Sequence, residues 1–386
     1  MHIGLAGPVD LAPLAAYVPG PLPEVYSFGL LGWLARSWLE AGHRVTVYAL
    51  SPAVRVRHVH GEGDPLRIVV VPQRPRARHR LRDFFRAERL GLTAAMLENP
   101  ADVVSAHWTY EFALAAEATG LPAFVTAHDT PLRSAWEMRS AYRWLRHSLA
   151  VPAVHRATAL SAVSPYAARH LQRCLGVRRH VEVIPNGVEL DALPRAGTPR
   201  TADSPVFASA VHGWGPLKNG KGLLRAFRLA RKQVPAARLL MFGDGFGPDG
   251  PAARWAARER LGAGVHFVGA TDRHVMLRRF CEEVDVLVHP SRVECFPMIL
   301  VESMAVGIPS VAGAQSGGVP WVLDGGLAGV LTDVDNPVKL AEAMVDLARD
   351  RARRTRLAQA ARNRVTEHFQ IRGVAQAYAD WFSRGC

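Results

Sequence analysis

The chain has 386 residues, 49% of them apolar and 21% charged, with a formal charge of +13. That composition excludes a largely disordered protein, and the length suggests two or three domains. No run approaches the ~18 uninterrupted apolar residues of a membrane span, and the scattered Cys174, Cys281, Cys295 and Cys386, with no Cys-x2-Cys pair among them, fit neither a disulfide framework nor a zinc site.

The opening MHIGLAGPVDLAPLAAYVPG has no basic leader, and Asp10 and prolines break its apolar run. A cytoplasmic location with reduced thiols is therefore expected. Short runs of Val, Ile and Ala then recur, each followed by a turn and a helix-like stretch. In the first half they fall at 43–50, 66–72, 101–108, 123–129, 157–164 and 181–187. In the second they fall at 206–211, 238–245, 265–270, 284–291, 309–314 and 329–333. Runs without polar alternation suit strands buried on both faces, and strands alternating with helices imply parallel sheets flanked by helices. The spacing predicts an α/β protein of two doubly wound, Rossmann-like domains, 1–190 and 205–365. The Pro-, Gly-, Thr- and Asp-rich stretch 191–204 would link them, and helix-like sequence over 366–386 closes the chain. Ligands of such domains sit beyond the carboxyl ends of the strands, so two domains facing across a cleft would line it with strand ends.

Two segments account for most of the net positive charge. Residues 74–89, RPRARHRLRDFFRAER, carry seven arginines and a net +5; residues 349–364 carry seven more and a net +6. Leu81, Phe84 and Phe85 fall at helical spacing in the first. This describes either a surface helix with one face on the core or an amphipathic helix drawn to anionic lipid. The second reads as a solvated helix face. Charge alone also permits polyanion binding, but no nucleic-acid module or stacking aromatics accompany it, so no nucleic-acid partner is expected.

The densest cluster of informative residues is HPSRVECFPMILVESMAVGIP, 289–309. A strand ends at Pro290 and Ser291, Glu294 follows in a loop, and Phe296, Pro297 and Met298 lead into an apolar helix containing Glu302. Gly307 and Pro309 then end that helix. A loop entering a helix N-terminus aims backbone N–H groups at an anion. Carboxylates beside it accept hydrogen bonds from sugar or ribose hydroxyls. A phosphate together with hydroxyls describes a sugar nucleotide.

Here the chain resembles the retaining glycosyltransferases of the GT-B fold, family-4 type, which carry a Glu-x7-Glu motif in this frame. The likeness extends through GHRVTVYAL (42–50), TAHDTP (126–131), VSP (163–165), VIPNGVE (183–189), KNGKGLLRAF (218–227), LMFGDG (240–245), VHFVGA (265–270) and SGGVP (316–320). It implies that Glu294 lies over the donor sugar, that Glu302 holds the ribose hydroxyls, and that the amides of Cys295, Phe296, Pro297 and Met298 approach the sugar and diphosphate. Lys218, rather than Lys221, takes the position of the lysine that neutralises the diphosphate. His128 takes that of a histidine facing acceptor and donor sugar. The implied catalytic set is thus Glu294, His128 and Lys218, and the last helix would return to the first domain. His107 is a second strand-end candidate, whereas His43 fixes a turn.

Three positions depart from the family pattern. Its arginine falls on Gly213, leaving His212 or another arginine to substitute. Its N-terminal glycine pair is replaced by Val25 and Tyr26, and a third glutamate by Trp321. The resemblance implies transfer of a glycosyl unit from a nucleotide-diphosphate sugar to an acceptor hydroxyl, with retention, without metal or cofactor. The acceptor would be lipid-linked if 74–89 meets the inner membrane face. The rivals are a nucleotide-sugar epimerase or phosphorylase of the same architecture, and a non-catalytic basic protein that binds membranes or polyanions.

Overall fold

The computed structural model describes residues 1–18, 20–61, 65–194 and 204–385. Backbone contacts divide the chain into two units, residues 1–188 with 371 onward, and residues 189–370. Most of the expected linker, 195–203, lies outside the described residues.

The first unit holds β1 (His2–Ala6), β2 (Arg44–Ser51), β3 (His58–His60), β4 (Leu66–Pro72), β5 (Val103–His107), β6 (Ala123–Ala127), β7 (Ala159–Ala162) and β8 (Glu182–Val183) in one sheet. Their order is β3-β4-β2-β1-β5-β6-β7-β8, parallel except where β3 runs antiparallel to β4. Ile3 of the central β1 sits opposite Val45 and Val103, and the Val, Ile and Ala side chains of β1, β2 and β5 are buried. This is why these runs show no alternation: helices cover both faces. A side chain on Gly4 would meet the Tyr48 ring at 2.9 Å, so the glycine lets β2 close on β1.

The helix Ile371–Gly385 belongs to this unit. It buries Tyr378, Trp381 and Phe382 against Trp38 and Phe124, and Trp38 Nε1 donates to the Ala375 carbonyl at 2.9 Å. Its spacing of Ile371, Val374, Ala375, Tyr378 and Phe382 is the i, i+3, i+4, i+7 stripe of a helix with one buried face.

The basic run 74–89 is not one helix, which corrects the expectation. The helix Ala77–Leu81 stops, Phe84 and Phe85 adopt left-handed backbone angles, and a new helix runs Arg86–Glu98. Phe85 turns into the core and Phe84 outward, so the apolar residues do not share a face. Arg74 explains the break. Its guanidinium bonds Asp83 at 2.8 and 3.0 Å and the buried Glu88 at 2.6 and 2.9 Å, folding the segment back on itself. Arg76, Arg78, Arg82 and Arg86 remain exposed. The later basic run is not a single solvated face, which corrects that expectation too: Arg349 ends the preceding helix, and in the helix Arg351–His368, which buries Ala358, Ala361 and Val365, Arg354 turns in to the Leu347 carbonyl and Arg364 to the Trp321 carbonyl. No helix among the described residues is long and apolar enough to cross a membrane.

The second unit holds β9 (Val206–Ala210), β10 (Arg238–Phe242), β11 (Val265–Gly269), β12 (Val286–His289), β13 (Ser310–Gly313) and β14 (Val330–Thr332). The order β11-β10-β9-β12-β13-β14 is parallel throughout. Its switch point falls between β9 and β12, where loops leaving the two strands diverge to opposite sides.

Candidate functional site

Two loops leave that switch point. The first, after β9, ends in a 3-10 turn, Pro216–Lys218, followed by Asn219 in left-handed geometry. Buried Asn219 donates through Nδ2 to the Val334 carbonyl at 2.7 Å. A side chain at Gly222 would stand 2.4 Å from Asn219 Oδ1, so glycine there makes room for the amide. The second loop, after β12, reaches across at Arg292. The Arg292 backbone N–H donates to the Leu217 carbonyl at 2.8 Å, and its guanidinium bonds the Pro216 carbonyl and Asp335. The Gly318 N–H donates to the Glu294 carbonyl at 2.7 Å from the opposite side. Both loops are therefore fixed by main-chain bonds before any side chain of the site is considered.

On this frame Lys218 Nζ donates to Glu294 Oε1 at 2.6 Å. His289 Nε2 lies 3.3 Å from the same oxygen, a contact without the alignment of a full hydrogen bond. Burial pushes the Glu294 carboxyl up, but the neighbouring imidazole and ammonium outweigh it and hold it at about 2. Glu294 is thus a carboxylate at every physiological pH, with its charge matched by Lys218. Lys221 is elsewhere: it lies in the first turn of the helix Gly220–Gln233, with Nζ 5.5 Å from the Trp255 ring centre.

Beyond Glu294, Phe296 is buried, 5.3 Å from the Phe369 ring and 6.1 Å from that of Trp321. It anchors the loop through its ring and leaves its backbone for other duties. Trp321, at the family's third glutamate, belongs to the same aromatic cluster, with the Arg364 guanidinium 5.9 Å from its ring centre. The helix Met298–Ala305 begins after Pro297 with no side chain capping its first N–H groups. Such a terminus carries partial positive charge. Cys295 is half-buried beside it.

Glu302 lies on that helix, buried, with Oε1 accepting from Arg273 Nε at 2.7 Å. Burial raises its carboxyl above the ordinary value, and Arg273 only partly opposes the shift. The two glutamates therefore differ: Glu294 is locked as an anion, whereas burial favours the neutral form of Glu302 and Arg273 opposes it. Gly213 has a positive φ and open space around it. His212 is exposed and pairs with Asp244 at 3.0 Å.

His128 lies in the first unit, after β6. Its ring stacks on Trp108 at 4.3 Å, and Phe28 from the N-terminal loop meets it edge-on. Burial lowers it to about 3, so it is neutral. The adjoining Asp129 accepts from the Tyr110 hydroxyl at 2.6 Å. His107 sits beside His128, at the end of β5.

The structure thus joins Lys218 to Glu294 and places Cys295, Phe296, Pro297, Met298 and Glu302 on the contiguous loop and helix. Sequence reasoning did not find Arg273, His289 or Arg292. The only available signal was that Arg292 and His289 flank the Pro-Ser of the motif.

Two doubly wound parallel sheets of these strand orders define the GT-B class of α/β proteins. Solved structures of that class align over the whole chain: sucrose-phosphate synthase from Thermosynechococcus elongatus (TM-score 0.78, 18% identity, 100% of this chain and 98% of that one) and Anabaena HepE in complex with UDP and glucose (0.72, 18%, 100% of both). Residues 200–364 match the family model for glycosyl transferases group 1, and residues 33–192 match that for glycosyltransferase family 4. The chain belongs to the group 1 glycosyltransferases, of family-4 type. Among curated relatives, the D-inositol 3-phosphate glycosyltransferase of Xylanimonas cellulosilytica is 34% identical over 205 residues, 47% of this chain and 46% of that protein. The lipopolysaccharide core biosynthesis glycosyltransferase LpsE of Rhizobium meliloti is 29% identical over 207 residues, 53% of this chain and 58% of that one. The match spans about half the length of these relatives.

Proposed function

We propose that the protein transfers a glycosyl unit from a nucleotide-diphosphate sugar to an acceptor hydroxyl with retention of configuration and without a metal ion. The observation that carries this reading is the Lys218–Glu294 pair at 2.6 Å, held beside the uncapped start of the helix Met298–Ala305. A compact ammonium and a row of backbone N–H groups suit a diphosphate, and a fixed carboxylate suits a sugar ring. The nucleotide complexes of HepE support the choice of donor.

In this reading the diphosphate draws Lys218 toward itself and Glu294 turns to the sugar hydroxyls. Glu302 accepts from the ribose hydroxyls, and the amides of residues 295–298 approach the phosphates. The acceptor oxygen bonds the anomeric carbon on the face that the diphosphate leaves, and its proton passes to the departing phosphate oxygen. Charge developing on that oxygen is stabilised by Lys218 and the helix N-terminus, which act without reorganisation. The first unit is assigned the acceptor, with His128 donating to a sugar hydroxyl. A cytoplasmic site of action, with exposed Arg76, Arg78, Arg82 and Arg86 against anionic lipid, belongs to the same proposal. Flotation with anionic vesicles, with and without these arginines, tests it.

A panel of UDP-, GDP- and dTDP-sugars tested by thermal shift provides the primary experiment, because a ligand of the folded state raises the melting temperature. One nucleotide class should stabilise the protein, chelator should leave the shift unchanged, and Lys218→Met should abolish most of it. Stabilisation by none of them overturns the assignment. Incubation of the stabilising donor without acceptor should give at most slow hydrolysis; conversion to an epimeric sugar would instead identify an epimerase.

A further inference from the structure

Two histidines meet at the carboxyl ends of β5 and β6: His107 Nδ1 lies 2.8 Å from His128 Nε2. The other nitrogen of His107, Nε2, lies 3.2 Å from Ser105 Oγ. His107 and Ser105 are fully buried. Tyr378 faces the His107 ring, while Trp108 and Phe28 enclose that of His128. His128 Nδ1 is also out of solvent and finds no partner among the described residues.

A neutral imidazole carries one N–H, so the chain Ser105–His107–His128 has two polarities. In one, the Ser105 hydroxyl donates to His107 Nε2, His107 Nδ1–H donates to His128 Nε2, and His128 carries its proton on Nδ1. In the other, every bond reverses and His128 Nδ1 is a bare lone pair. The reversed order strands the Ser105 hydroxyl hydrogen inside the sheet, where no other acceptor is found for it among the described residues. The first order leaves a single orphan donor, His128 Nδ1–H, at a strand end, where ligands of such sheets sit. An unmade bond to a buried donor is costly, so a place where a ligand can complete it is favoured.

We infer that His107 is a positioning residue that fixes His128 as the neutral Nδ1–H tautomer, a hydrogen-bond donor for a sugar oxygen and not a base. The lone pair on Nε2 is occupied by His107 and Nδ1 already holds its proton, so His128 has no site left to accept one from an acceptor hydroxyl. Burial keeps both rings neutral, since it lowers His107 well below its ordinary value and His128 to about 3. The oxygen that completes the bond rests on the proposed glycosyl transfer; the tautomer does not.

The test is a long-range proton–nitrogen correlation spectrum of the full chain labelled with 15N-histidine, recorded from pH 5.5 to 8. His128→Gln identifies the signal of His128. The wild-type spectrum should show both His107 and His128 as Nδ1–H tautomers that do not titrate, a minority form among histidines. His107→Asn, whose amide nitrogen replaces the Nδ1–H donor, should leave His128 in that form. His107→Leu should release it to the Nε2–H form. A wild-type His128 that is charged or protonated on Nε2 overturns the inference. So does loss of the Nδ1–H form in His107→Asn, or its persistence in His107→Leu. If His107→Leu fails to fold, the wild-type and His107→Asn spectra still decide. No donor is present in these measurements, so failure of the nucleotide panel is separately visible.

Discussion

Replacing Lys218 with methionine keeps most of the side-chain volume and removes the charge 2.6 Å from Glu294. The folded carboxyl sits at about 2 against 4.5 for the free group. At about 1.4 kcal/mol per pKa unit, this corresponds to about 3 kcal/mol of stability at pH 7. The folded value is depressed, so the contribution is complete above pH 4.5 and is lost as the pH falls through 2. By pH 3 about 1.4 kcal/mol remains. His289 supplies part of the depression, which leaves about 1–2 kcal/mol for Lys218. The variant should therefore lose about 1–2 kcal/mol at pH 7 and less than half of that at pH 3. Calorimetry combined with tryptophan fluorescence separates the unfolding transitions of the two units and reads the difference. Titration calorimetry with the stabilising nucleotide sugar should show affinity lower by about 10- to 100-fold, the value of one charge-assisted contact of about 1.5–3 kcal/mol. Equal destabilisation at pH 7 and pH 3 would refute the account of Glu294. Unchanged donor affinity would refute the role of Lys218.

Glu302→Gln should act in opposite directions on stability and binding. Because burial raises this carboxyl, its ionisation destabilises the fold as pH rises through the folded value, so the amide should raise the melting temperature at pH 7. The same change should weaken nucleotide-sugar binding about tenfold or more in titration calorimetry. Glu117, with both oxygens buried and unpartnered, is pushed by burial up to about 8. Its folded value exceeds the unfolded one, so stability falls between pH 4.5 and 8, and Glu117→Gln should gain more in melting temperature at pH 8.5 than at pH 4.5. Phe296→Ala should cost about 3–5 kcal/mol in denaturant unfolding, because the ring is buried against Trp321 and Phe369.

The sheets were readable wherever a strand is covered on both faces. Runs such as LRIVVVP and RLLMFGDG carry that burial as unbroken apolar sequence. β1 was not anticipated although it is central, since five residues with Gly4 in the middle make a faint apolar run. β3 escaped for the opposite reason: it is an antiparallel edge strand, and its His-Val-His sequence is half solvated. The segment 74–89 misled because Leu81, Phe84 and Phe85 have helical spacing. Ion pairing by Arg74 and two left-handed phenylalanines override it, and neither leaves a local pattern. In the candidate site, Glu294 and Glu302 stand out because proline, glycine and aromatic residues frame them at fixed spacing, and Lys218 through the family resemblance; the structure brings Lys218 to Glu294. Arg273 and Arg292 do not stand out, because each acts through a partner far away in sequence, Glu302 for the first and Pro216 with Asp335 for the second, and His289 reads as the buried end of a strand. One arginine in a chain so rich in arginine carries no mark of such a task.

The return of residues 371–385 to the first unit has a consequence for biosynthesis. The surfaces of Trp38 and Phe124 that this helix covers are made before residues 189–370, and their cover only after them. At about 5–20 residues per second, synthesis of 189–370 imposes a delay on the order of ten seconds or more. Throughout that interval the nascent amino-terminal sheet presents uncovered aromatic surface, a natural target for a holdase, while the intervening unit is free to fold ahead of the one that began first.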